Sequence, residues 1–254
     1  MDKFKRLVKD YYLFVLFSLM VLLVWQYLVK SGKVPSFIVP APTSIIQMIF
    51  ENKHSLFVVH LMATIKEIAI GFVIAFIGGM ILSIGMYFFK PVEKIMYPFI
   101  LISQTIPIIA LSPIFVLWFG YSIWSKVAVT ILISFFPIVL NFYDGLKNGD
   151  KDYHELLTSM GAKRWQIFLK VEVPFALSPL LSGVKLAIVF AVVGATIGEW
   201  LGASEGLGYY SRRMSGNLNS EGVFAAVVIL SLLGMVLFIL VSLLERKILY
   251  WKRK

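Results

Sequence analysis

The sequence predicts an all-α integral membrane protein with about six transmembrane helices, on three observations. Of its 254 residues, 59% are hydrophobic and only 15% are charged, whereas a soluble domain carries about a quarter charged residues; mean hydropathy is +0.85. Uncharged runs recur at lengths that suit a bilayer core, which takes roughly 20 residues of helix to cross. The positive charges, a formal net +10, gather in alternate connecting segments, as in a chain oriented across a membrane. The composition excludes an ordinary cytosolic enzyme and a disordered tail. The lack of cysteine excludes a disulfide-stapled module and thiolate chemistry.

The first uncharged run covers residues 11–29. It is too long for the apolar region of a signal peptide and no small-residue cleavage site follows, so it reads as a retained helix. The second covers 68–89, where Gly78, Gly79, Gly85 and Ala75 suit close helix packing. Residues 95–125 hold no charge and contain Pro98, Pro107 and Pro113, which predicts a broken third span ending at the turn Gly120-Tyr121-Ser122. The fourth, fifth and sixth spans are expected near 127–142, 175–198 and 222–244; the count falls to five if Lys185 interrupts the fifth.

Six spans put both termini on one side. The termini and the segments after spans two and four hold sixteen Lys and Arg residues, against six in the remaining segments. Positive charge marks the cytoplasmic face, so both termini are expected in the cytoplasm. The basic balance is thereby a topology signal, and no nucleic-acid partner is expected.

The chemistry of an enzyme is missing. There is no G-x-x-x-x-G-K-[ST] loop for ATP, and Gly202-Ala-Ser-Glu-Gly206-Leu-Gly208 follows a span rather than opening a βαβ unit, so it reads as a tight re-entry loop. His54, His60 and His154 are scattered, and no H-E-x-x-H pattern supplies zinc ligands. No catalytic residue and no metal site are expected.

The segment 152–174 is the most informative. Asp152 followed by Glu155 reads as a helix N-cap with its capping-box partner, and Gly161 suits the left-handed residue that ends that helix. Trp165, Phe168 and Leu169 then form one side of a second amphipathic stretch, with Lys163 and Lys170 on the other. Pro174 suits the first turn of the next helix. Such a helix–turn–helix presents an apolar knob ringed by charge, the anatomy of a docking surface.

Glu155, five residues, Gly161, nine residues and Val171-x-Val173-Pro174 resemble the EAA motif of binding-protein-dependent ABC importer permeases. Leu156 and Leu157 stand where that motif has two alanines. Val39-Pro40-Ala41-Pro42, His60 to Thr64 with Gly71-Phe72, Leu117 to Gly120, Phe135-Phe136-Pro137 and Gly206-Leu207-Gly208-Tyr209 are similar to the nitrate/taurine/sulfonate branch of that family. Ser159 to Phe168 and Glu199 to Gly202 are closest to permeases for thiamine-precursor (hydroxymethylpyrimidine) uptake. The resemblance implies a type I ABC importer permease fold, with an N-terminal helix and outer segment (1–60), a transmembrane domain (61–249) and a basic tail (250–254). It implies a coupling helix seated in an ATPase, with Glu155, Leu156, Leu157, Gly161, Ala162, Trp165, Val171 and Pro174 at the contact.

The resemblance further implies ABC ATPase subunits that carry ATP and Mg, an extracellular substrate-binding protein and a homodimeric permease in the lipid bilayer, with no cofactor in this chain. A thiamine-precursor pyrimidine is the expected substrate, with aliphatic sulfonate, taurine or nitrate as the alternative. The alternative of another class is a stand-alone secondary transporter or channel. Irregular backbone at membrane depth is tolerated where protein or water surrounds it. Ser103, Gln104, Thr105, Pro107 and Ser112 in the broken span are therefore pathway candidates, together with Thr196 and Glu199 near the end of the fifth span. Glu199 has a competing reading as a cap or an interfacial partner.

Overall fold

The structure, a computed structural model, describes residues 2–253; Met1 and Lys254, at the ends of the two expected terminal segments, lie outside them. Among the described residues the helices are α1 (Asp2–Lys30), α2 (Pro42–Glu51), α3 (Met62–Phe88), α4 (Lys90–Ser103), α5 (Ile108–Phe119), α6 (Ile123–Lys147), α7 (Lys151–Ser159), α8 (Arg164–Ile167), α9 (Val173–Gly202), α10 (Leu207–Gly216) and α11 (Ser220–Ile248). Five rods are long and apolar enough to cross a membrane, and a sixth if α4 and α5 count as one span bent by 104°. The break in that third span falls at residues 104–107, between two one-turn hydrogen bonds, Thr105 N–H to Ile102 O and Ile106 N–H to Ser103 O. Pro98 and Pro113 lie inside the flanking helices. Pro107 alone marks the break.

α3, α6 and α9 form the centre of the bundle. Their backbones approach closely because small residues stand at the crossings, the usual device where lipid gives no hydrophobic drive between helices. A side chain added at Gly183 would lie 2.6 Å from Pro137 O, and one at Gly194 would lie 2.9 Å from Thr130 Cα. In α3 the close contacts are at Gly71 and Gly79, whereas Gly85 faces open space and Gly78 only approaches Phe135. Two of the four small residues expected to pack, Ala75 and Gly79, therefore do so tightly. Phe142, Leu146, Phe168, Ala176 and Leu180 fill one end of this core. α1 meets α2 and, through Trp25 on Phe224, α11; it leaves most of the apolar surface described for it exposed, as suits a helix surrounded by lipid.

Two polar arrangements keep the apolar bundle satisfied. Lys185, on α9, pairs with Glu245 of α11 at 2.9 Å, so the fifth span continues through this charge. Ser83 donates to Gly79 O and is also within 3.0 Å of Val139 O. The fifth span also begins earlier than expected. Arg164–Gly202 is one continuous rod, with a π-turn at Phe168–Glu172 just before Pro174. Pro174 stands in the first turn of α9, as expected, where its missing N–H costs nothing; the π-turn before it joins α9 to α8 without a break.

Candidate functional site

Two polar constellations sit at opposite ends of the α6–α9 pair. The first surrounds α7. Asp150 caps this helix: its Oδ1 accepts the Asp152 N–H at 3.0 Å and the Tyr153 N–H at 3.5 Å. The expected cap was Asp152; the cap lies two residues earlier, because Asp150 already offers the carboxylate that the first free N–H groups need. Asp152 lies instead in the acidic first turn, favourable to the helix dipole. The end matches expectation. Ala162 N–H donates to Leu157 O at 2.9 Å and Gly161 N–H to Thr158 O at 3.0 Å, with Gly161 at φ +79°, which is a Schellman turn. Replacing Asp150 by alanine is expected to cost α7 about 1 kcal/mol. Faster amide exchange at 151–155 would register it, and unchanged exchange would disprove the cap.

α7 is tied to the bundle by few groups. His154 Nδ1 meets Glu172 Oε1 at 3.0 Å, and Glu172 is buried in the π-turn against Gly149. Arg164 donates to Tyr87 O at 2.9 Å and lies 5.2 Å from the Phe88 ring, which fastens the loop to the end of α3. Trp165 stacks on Phe168 at 5.3 Å. Lys163 N–H donates to Gln166 Oε1 at 2.7 Å, the reach-back half of a capping box for α8. A cavity of about 300 Å³ opens beside this joint, lined by Glu93, Tyr143, Lys147, His154 and Glu172. Of the expected docking residues, Glu155, Leu156, Gly161 and Trp165 are exposed, Leu157, Ala162 and Pro174 are half-buried, and Val171 is buried. Met160, next to Gly161, is 73% exposed and adds to the apolar surface.

The second constellation is at the other end, where α10 begins. Three successive N–H groups opening α10 find side-chain acceptors on other elements. Gly206 N–H donates to His60 Nδ1 at 3.2 Å, Leu207 N–H to Thr64 Oγ1 at 2.9 Å, and Gly208 N–H to Glu199 Oε2 at 2.5 Å. The Thr64 hydroxyl donates to Glu199 Oε1 at 2.6 Å, which closes the network. The N-cap position itself is Gly206, which has no side chain to offer. Its φ is +111°, and a Cβ there would run into the Glu199 carboxyl. Glu67 lies beside Glu199 and pairs with Lys126 at 3.6 Å, both nearly fully buried. A cavity of about 430 Å³ borders them, lined also by Lys66, Ser204 and Glu205.

The pathway candidates are not brought together. Ser103 and Thr105 bond their own helix, to Ile100 O at 2.8 Å and Ile102 O at 2.7 Å, and Gln104 and Pro107 are exposed at the bend. Ser112 is buried with no partner for its hydroxyl. Thr196 donates to Val192 O at 2.8 Å and borders an apolar groove of about 620 Å³ between α9 and α11. Glu199, by contrast, is fully buried at the head of α10. Sequence reasoning missed His60, Thr64 and Glu67 as its partners, although they recur at spacings of four and three on one helix face. Lys126, one of the six Lys and Arg residues counted above in the remaining segments, is 7% exposed inside the bundle.

Residues 68–250 match the family described as "Binding-protein-dependent transport system inner membrane component". The chain belongs to that family. It is an ABC importer permease, a transport subunit whose ATPase is a separate partner. The permease is 47% identical over 239 residues to the formylaminopyrimidine transport permease protein of Halalkalibacterium halodurans, covering 94% of this chain and 95% of that one. It is 30% identical to a putative aliphatic sulfonates transport permease protein of Bacillus subtilis, over 94% of this chain and 87% of the other. It shares its fold with the inward-facing MetNI methionine ABC transporter, at a TM-score of 0.64 and 19% identity over 74% of this chain and 94% of that one. Membership of this family implies ATPase and substrate-binding-protein partners, and a multi-pass place in the inner membrane.

Proposed function

We propose that this permease carries a thiamine-precursor pyrimidine of the formylaminopyrimidine kind. The observation that carries the reading is the 47% identity, spread over nearly the whole of both chains, to a formylaminopyrimidine permease. Two copies of the chain surround the path on a two-fold axis, since one docking loop per copy suits a pair of ATPase subunits. Both termini and α7 face the cytoplasm, a reading supported by the sixteen-to-six partition of Lys and Arg. Residues 61–249 are the transport domain in this scheme.

α7 seats in a cleft of the ATPase through Glu155, Leu156, Leu157, Gly161 and Ala162, with Trp165 at the rim. ATP and Mg are bound by that partner, and its closure moves α7. The His154–Glu172 contact and the Arg164–Tyr87 bond then pull on the feet of α9 and α3. Val171 and Pro174 belong to the stiff base of α9 through which that pull travels. A broken span is a natural lining for the path, and Ser103, Gln104, Thr105, Pro107 and Ser112 remain its candidates there, with Thr196 on the α9 side. Glu199 acts on the path through α10.

The test is uptake by the chain reconstituted with its ATPase and external binding protein. ATP-dependent accumulation of labelled formylaminopyrimidine, unaffected by excess taurine, is the expected result. Uptake of taurine or an aliphatic sulfonate with none of the pyrimidine would replace the substrate. Uptake by the permease alone, without an ATPase, would replace the mechanism with that of a secondary transporter or channel.

A further inference from the structure

A groove of about 430 Å³ lies where α7, the base of α9 and the end of α11 come together. Its wall is apolar along Val171, Pro174 and Phe175 on one side and along Leu249 and Trp251 on the other. Tyr153 reaches it from α7, with its ring 6.1 Å from that of Phe175. Lys170 is the one charged side chain among the described residues that line it, and it is exposed. Asp152 and Glu155 of α7 do not line the groove. Glu172, next to Val171, meets His154 Nδ1 at 3.0 Å, and Glu245, one turn before Leu249, pairs with Lys185 at 2.9 Å. Arg246 and Lys247, exposed in the last turn of α11, add positive charge nearby.

Depth selects the occupant. The Lys185–Glu245 pair holds α9 and α11 side by side. Glu245 ends the uncharged run of α11 and Leu249 follows one turn later, while Pro174, Phe175 and Ser178 open the uncharged run of α9. The groove therefore sits where acyl chains give way to headgroups. Tyr153 and Trp251, each an apolar body with a polar tip, are residue types enriched at that boundary. An apolar slot with a cation and no acid fits the neck of an anionic phospholipid, its chain against the wall and its phosphate toward Lys170. The ATPase fits less well, because the slot is level with the apolar runs of two spans that lipid surrounds.

We propose that this groove binds an anionic phospholipid of the cytoplasmic leaflet, and that the bound lipid steadies α7. The docking helix has few other ties to the bundle, chiefly the His154–Glu172 contact. A lipid held between Tyr153, Phe175 and Trp251 adds a tie from that helix to the feet of α9 and α11. The leaflet rests on the orientation given above, and the effect on α7 rests on the docking reading; the site itself rests on neither.

The test uses the assembled importer in nanodiscs of phosphatidylcholine mixed with phosphatidylglycerol. A trace of either lipid carries a photoactivatable group on the upper part of one acyl chain. Adducts within 171–178 and 249–251 are expected to be about fivefold more frequent from the phosphatidylglycerol probe, the preference that one lysine near a headgroup supplies. Lys170→Gln, at an exposed position, should remove the preference, and Lys170→Arg should keep it. Equal labelling by the two probes, or a preference that survives Lys170→Gln, overturns the site. Adducts that appear only once the ATPase is stripped away give the groove to that partner, which also overturns it. Stimulation of ATP hydrolysis by the external binding protein is expected to fall, in phosphatidylcholine alone, to the level that Lys170→Gln shows in either lipid. Stimulation indifferent to lipid, in an importer that Gly161→Val does uncouple, overturns the effect on α7.

Discussion

Replacing Glu199 by alanine is expected to lower the melting temperature of the permease by about 10 °C and to abolish uptake. The carboxyl is wholly buried and holds two donors at once, the Thr64 hydroxyl at 2.6 Å and the Gly208 N–H at 2.5 Å. Each buried donor left without a partner costs about 1–3 kcal/mol, and breaking a buried charged network typically costs about 3–5 kcal/mol. For a chain of this size each kcal/mol is worth about 2–4 °C. The damage is local at first. α10 begins with a glycine that cannot cap itself, so losing Glu199 frees the N-terminal turn and with it the segment that joins α9 to α11. Glu199→Gln keeps one carbonyl acceptor and should fall between parent and alanine. A melting curve in detergent, read beside uptake in vesicles, checks both. An alanine variant that melts with the parent and transports normally would remove Glu199 from the structural network altogether.

How much of this could be read beforehand depends on the range of each interaction. The spans were legible because a bilayer imposes one length and one polarity on every crossing; that the third span breaks was legible from its three prolines, but not that Pro107 marks the break while Pro98 and Pro113 sit inside helices. Gly161 was legible because a helix end is a local event, completed within six residues. Its partner in α7 was misplaced by two positions, since Asp150 and Asp152 are chemically equal and only the backbone decides which one caps. The Glu199 network was not legible as a whole. Thr64 and Glu199 are 135 residues apart, and nothing in the sequence says that the head of α10 comes to lie between them. The helix-periodic spacing of His60, Thr64 and Glu67 pointed to a shared face without saying what that face meets. Lys126 shows the opposite failure. A charge at a span boundary reads as solvated, and only the fold reveals that Glu67 draws it inside.

Gly161→Val is the second large effect expected, and it should be seen in coupling rather than in stability. At φ +79° a β-branched residue meets its own backbone, at a cost of about 1–2 kcal/mol. No neighbouring atom lies within 4 Å of an added Cβ, so the penalty is purely conformational and the chain can relieve it by turning. Relief means giving up the Ala162–Leu157 and Gly161–Thr158 bonds, which swings α7 on the His154–Glu172 contact while Arg164 stays fastened to Tyr87. The bundle core is untouched, so insertion and melting should match the parent. ATP hydrolysis by the attached ATPase should continue, while uptake per ATP falls at least tenfold. Asparagine tolerates the left-handed region, so Gly161→Asn should retain most coupled uptake. That pairing separates backbone geometry from side-chain bulk: if valine and asparagine lower uptake equally, the turn serves as a contact surface only. If both transport as the parent does, α7 does not carry the stroke.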